Sequence, residues 1–148
     1  MEQVNNLVAL NPENEMILEL NRVAQIMSDS RHYISINAYL ASAQAGAGVT
    51  SILRTPTTKN DEAWITCYLG GLALGAAVDF GKLTIDNRIN QEGYRGSCSA
   101  VIIHCVVGYT NIIGYDEHSN PVLWFNGGGA GLDIFIGGGI FNVNKKIQ

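Results

Sequence analysis

From His32 the hydrophobic pattern has a period of two. His32, Ile34, Ile36, Ala38 and Leu40 fall on one face, and Tyr33, Ser35, Asn37, Tyr39 and Ala41 on the other. That alternation predicts a half-buried strand. Val49 to Thr55 and Glu62 to Leu69 read as two more strands, parted by the turn residues Pro56 to Asp61. An apolar stretch broken by Gly70, Gly71 and Gly75 resumes to Phe80, and Gly81 to Ile85 reads as one more strand or the end of this one. The segment 87–96, NRINQEGYRG, is the most polar and predicts a loop. Residues 97–115 form a long apolar run with a bend expected at Gly108. Tyr115 to Pro121 is a polar turn, rich in residues that turn the chain by side-chain bonding or a fixed φ. Val122 to Phe125 and Leu132 to Ile136 are β-branched and aromatic, as strands prefer. The glycine runs 127–131 and 137–139 are expected to separate them from each other and from a last strand.

Ahead of the strands the period is helical. Met16, Ile17, Leu20, Val23, Ala24 and Met27 recur on one face. Asn11-Pro12-Glu13 has the cap, the first-turn proline and the acid that suit a helix start. Ser28-Asp29-Ser30 ends the pattern, so one amphipathic helix is predicted over about residues 12–27. Its apolar stripe is expected to dock on the strands, as a lid across one barrel end, with a helix held out for a partner as the alternative. The chain thus divides into an N-terminal segment, 1–30, and a β-barrel domain, 31–148. So many short strands and turns point to a closed antiparallel barrel of about eight strands or to a sandwich. Glycines inside strands favour the barrel, because they permit bending and close backbone approach. A faint repeat suggests two halves: Gly70, Gly71, Ala73 and Gly81 meet Gly127, Gly128, Ala130 and Gly138 at an offset of 57 residues.

Composition narrows the class. The chain has 148 residues, enough for one core, and a 47% hydrophobic content with 15% charged residues excludes global disorder. A net charge of −4 without a basic cluster excludes a nucleic-acid surface. No run of 18 apolar residues is present, so no transmembrane helix is expected. The start lacks a signal-peptide pattern, which leaves a cytoplasmic location or a non-classical route of secretion. Cys67, Cys98 and Cys105 lie in apolar segments without close spacing and read as small buried thiols, with one disulfide and a free thiol as the alternative.

The candidate chemistry is thin. A phosphate loop needs Gly-Lys-Ser/Thr opening a helix, whereas Gly131 is followed by Leu132-Asp133 and a strand. His32, His104 and His118 are dispersed, and His104 and Cys105 alternate across a strand, so they form no local pair. Asp79 and Asp133 interrupt apolar strands. Either could act as a general acid or base; a place facing solvent or on a barrel rim is the plainer expectation. Tyr33, Tyr39, Trp64, Tyr68, Tyr94, Tyr109, Tyr115 and Trp124 could form a sugar platform, or simply pack. No catalytic residue, metal ligand or cofactor is assigned.

One resemblance adds to this reading. Gly70-Gly71 ahead of an apolar stretch, Gly81-x-Leu83-x-x-Asp86, the turn Tyr115 to Asn120, Val122-Leu-Trp-Phe-Asn126, Gly127-Gly-Gly-Ala130 and the final Gly137 to Gly139 run in order. The pattern, over about half the chain, resembles the core domain of the virulence-associated proteins of rhodococci, the Vap family. The resemblance implies a compact eight-stranded antiparallel barrel of two interlocked motifs, filled by side chains and without a catalytic pocket. It also implies a non-enzymatic action on the host endolysosomal system. This chain departs from the family in its start, its three cysteines and the helix directly before the barrel, and no functional residue carries over. The expected function is a non-enzymatic interaction module of the effector type, acting through its surface on a protein or a host-membrane component. The alternatives are a barrel for a small apolar ligand, an isomerase- or cyclase-type enzyme using Asp79 or Asp133, and a lectin.

Overall fold

In the computed structural model, residues 15–29, 32–45, 48–54, 63–70 and 76–146 are described. They hold one helix, α1 (Glu15–Asp29), and six strands: β1 (Tyr33–Ala45), β2 (Gly48–Arg54), β3 (Ala63–Gly70), β4 (Ala76–Asp86), β5 (Arg95–Tyr115) and β6 (Pro121–Val143). A single 3-10 turn, Asn87–Ile89, follows β4. The expected start of the helix at Asn11 to Glu13 lies outside the described residues. Every pairing is antiparallel.

The expected closed barrel of about eight strands is not what the chain forms. The sheet order is β3-β2-β1-β4-β6-β5, with a further β3–β6 pairing. β6 is long enough to pair with β4 through its first half and with β3 through its end. The sheet therefore curls, but among the described residues β5 has a strand neighbour only on its β6 side, which leaves an open, half-barrel-like sheet. The two ends of β5 nevertheless come together: a Cβ on Gly96 would overlap the carbonyl oxygen of Tyr115. We refer to this meeting line as the seam.

The glycine runs also differ from expectation. Instead of separating strands, they lie inside β6, which continues from Pro121 to Val143. Their role is close approach. A side chain on Gly139 would overlap the Tyr68 carbonyl oxygen, and one on Gly81 the Asn126 carbonyl oxygen. These two sites are equivalent, because Gly139 pairs with Leu69 and Gly81 with Gly127, each next to the obstructing residue.

That equivalence corrects the repeat. The structural offset is 58 residues, from Gly81 to Gly139. It carries Ile65 to Leu123, Cys67 to Phe125, Leu83 to Phe141 and Ile85 to Val143, and all eight belong to the buried core. An offset of 57 would instead carry core Leu83 to exposed Ile140. A slip of one residue exchanges the two faces of a strand, so only the even offset preserves the core.

Inward positions of every strand with described side chains build that core, and Phe125 and Phe141 are its largest fully buried members. The helix sits elsewhere. Val23, Ala24 and Met27 of α1 pack on Ile113 and Trp124, register partners on the outer face of β5 and β6. Their neighbours Ile112 and Phe125 point inward. The helix docks within the chain, as its stripe predicts, but against the side of the sheet and not across a barrel end. The side chains of Met16, Ile17 and Leu20 lie outside the described part.

Candidate functional site

Strand β4 is inverted at one place. Asp79 is fully buried, while its neighbours Val78 and Phe80 are 45% and 62% exposed. The expectation that Asp79 faces solvent or a rim is therefore corrected. Alternation sends it inward, where Thr110 donates a 2.8 Å hydrogen bond to its Oδ2. A buried polar group persists only with such partners. Its register partner Gly129 has no side chain to occupy the space beside it. Outside, the Phe80 ring lies 6.0 Å from that of Tyr39 on β1. Tyr68 and Ile140, register partners of β3 and β6, are likewise exposed.

His104 and Asp133 are register partners in the β5–β6 hairpin. Equal spacing from the Asp116–Asn120 turn would not find this pair, because the register shifts by one residue between Gly114 and Tyr115. Their side chains, like that of Cys105, lie outside the described part. Among the described residues no cluster of three His, Cys, Asp or Glu could hold a metal ion. Several of the aromatics are taken up by packing. Trp124 is buried beneath α1 and donates its indole N–H to Asn111 Oδ1 at 2.9 Å. Trp64 packs against the core, and Tyr94 lies 5.9 Å from the Phe141 ring.

At the seam there is a cleft of about 650 Å³, formed by the 3-10 turn, the start of β5 and the β5–β6 turn. Its apolar floor is Ile89 and Val122, and Arg88, Tyr94, Arg95 and Ser97 reach into it. The local chain builds it by capping. Asp86 accepts from the Arg88 backbone N–H at 2.9 Å and from the Arg88 guanidinium Nη2 at 2.6 Å. Burial alone would raise the Asp86 pKa, but the Arg88 hydrogen bonds and charge outweigh it and hold the carboxyl below its ordinary range. Across the cleft, Asp116 accepts from the backbone N–H groups of His118 and Asn120, both at 2.9 Å. Those bonds likewise overcome partial desolvation and lower its pKa. Ser119 takes a left-handed conformation, φ 62°, to close this turn. Both segments read locally as loops; their meeting depends on the curl of β5, which no local pattern records.

A curled antiparallel sheet with a packed described interior and a helix on its flank defines the class of fold. Solved structures that resemble it over about three quarters of the chain include two virulence-associated proteins. The virulence-associated protein VapD from the intracellular pathogen Rhodococcus equi aligns with a TM-score of 0.57 at 16% identity, over 75% of this chain and 97% of its own. VapB from the same organism aligns with a TM-score of 0.56 at 15% identity, over 76% and 98%. The chain is thus weakly Vap-like in fold. No protein-family profile and no curated protein matches the sequence. Among the described residues no helix is long and apolar enough to cross a membrane.

Proposed function

We propose that the chain is a non-enzymatic interaction module of the virulence-associated kind that binds a protein partner through the outer face of its curled sheet. One observation carries this reading: the inversion in β4, which buries a carboxylate and leaves Val78 and Phe80 in water beside Tyr39. Native chains break the hydrophobic-inside rule chiefly where function requires it. An exposed apolar patch with a polar border is the usual mark of a protein interface. Lys82, Asn37 and Ser35 are exposed on the same two strands and supply that border. The packed core around Phe125 and Phe141 favours a surface role over a ligand held within the sheet. The likeness to Vap proteins supports the fold on which such a surface is displayed.

The test uses a photo-crosslinking residue at position 80, with the same probe at exposed Glu92 as a control. The protein is expressed in the cells where it acts. A discrete adduct from position 80 alone, lost in a Val78→Ser variant that keeps its melting temperature, supports the proposal. Equal labelling from both positions rejects it. So does turnover of a small molecule that disappears in Asp79→Asn.

A further inference from the structure

The seam cleft contains more hydrogen-bond donors than the protein uses. Arg88 directs Nε and Nη2 at Asp86. Its Nη1 has no hydrogen-bond acceptor among the described residues. Among the described residues Arg95 engages only through Nε, in a 3.3 Å bond to Asn142 Oδ1. Both of its terminal nitrogens are left over. The nearby carboxylates do not absorb this excess. Asp86 is occupied by Arg88, and Asp116 by the backbone N–H groups of its own turn and the Asn120 amide at 3.4 Å. Glu117 is exposed and turned to His118 at 3.5 Å.

We propose that this cleft binds the oxyanion of a small molecule, a carboxylate or a phosphate, between the guanidinium groups of Arg88 and Arg95. Arginine presents a planar fork of donors that fits both groups in two-point contact. The carboxylate of Asp86, itself shielded from water, holds one fork in a fixed orientation before the ligand arrives. That reduces the ordering cost of binding. Ile89 and Val122 offer an apolar floor for the remainder of the molecule, and a volume of about 650 Å³ suits a small ligand. The cleft lies at the seam and the apolar patch on the outer face of β4, so this proposal stands or falls apart from the interaction surface.

The experiment is a titration followed by two-dimensional amide NMR, with inorganic phosphate in one arm and succinate in another. Sodium chloride at matched ionic strength is the control. Saturable shifts at the amides of Gly96, Ser97 and Ser119, beyond those with chloride, are expected in at least one arm; the stronger arm identifies the group. Arg95→Gln should weaken that binding about tenfold or more, as loss of a charge-assisted pair does. Its folding reads independently in the unchanged resonances of β1 and β2. Arg95→Lys should recover part of the affinity. Shifts no larger than with chloride, or full affinity in Arg95→Gln, would overturn the proposal. Shifts driven by a divalent cation at Asp116 and Glu117 in place of the anions would overturn it too.

Discussion

Single residues in this chain act mainly by what they exclude or neutralise. Gly139 is the clearest case, because its missing side chain lets β3 approach β6. Gly139→Ala should lower stability by roughly 1–3 kcal/mol, the range for overpacking. Gly138→Val should do likewise, since its Cβ would sit 2.9 Å from the Cys98 carbonyl oxygen. Gly70→Ala is the matched control: the nearest atom would be an ordinary contact at 3.8 Å, so the shift should stay within about 0.5 kcal/mol. Urea midpoints of the three variants decide the matter, and a Gly70 effect as large as that of Gly139 would rule out close approach as the cause. Asp86 acts by charge. Its folded pKa is depressed, so its contribution is present above its unfolded pKa and is lost as pH falls through the folded value. Asp86→Asn should therefore lower the urea midpoint at pH 7, and by progressively less as the pH falls towards 2. A penalty that persists at pH 2 would mean that the cap geometry matters and the charge does not.

At the scale of elements, the helix is held by a small apolar contact with a polar edge. Tyr115 donates a 2.9 Å hydrogen bond to Glu19, which also pairs with Arg22. Desolvation and that hydrogen bond push the Tyr115 pKa up to about 12. Met27 is nearly fully buried against Ile113 and Trp124. Met27→Ala should cost about 2–5 kcal/mol, as truncation of a buried side chain does. Deleting residues 1–28 should lower the melting temperature by uncovering Trp124. A truncated chain that melts as the full one does would make α1 an arm held for a partner. The strands themselves were legible, because period-two alternation at Ile34 to Leu40 survives into β1 with Ala38 and Leu40 buried. The continuity of β6 was not, because glycine runs read locally as breaks whereas here they are pairing positions. The docking site of α1 was equally hidden: Ile113 and Trp124 alternate with core residues, and only the helix above them makes an outward apolar pair intelligible. Asp79 stands out as a lone acid in an apolar strand, yet its inward position follows from β4 alternation that Val78 and Phe80 obscure by being apolar on the wrong side.

For the whole molecule the open question of physics is how a sheet with an unpaired β5 edge resists opening. The two thiols of known placement can answer it. Cys67 on β3 and Cys98 on β5 are both free and buried, and they flank β6 from opposite sides. A hydrogen bond with Cys98 and complete burial raise the Cys67 pKa well above that of a free thiol, which keeps it protonated and unreactive in the folded state. Alkylation of Cys67 therefore requires an opening event. If the curl opens only as a unit, its alkylation rate should rise with urea along the slope of global unfolding, because slope tracks the surface exposed. Cys98 should follow the same line, since the ends of β5 are pinned where Gly96 meets Tyr115. A mass-spectrometric time course resolves the two sites in one sample. A shallow slope at Cys98 alone would mean that β5 peels from the seam below the global barrier, as a separate unit of lower stability. Shallow slopes at both would mean that the interior breathes through the open edge. Equal steep slopes are the expected result, because the packing of Phe141 against Gly96 and Gly114 ties the first and last turns of β5 to the same core side chain.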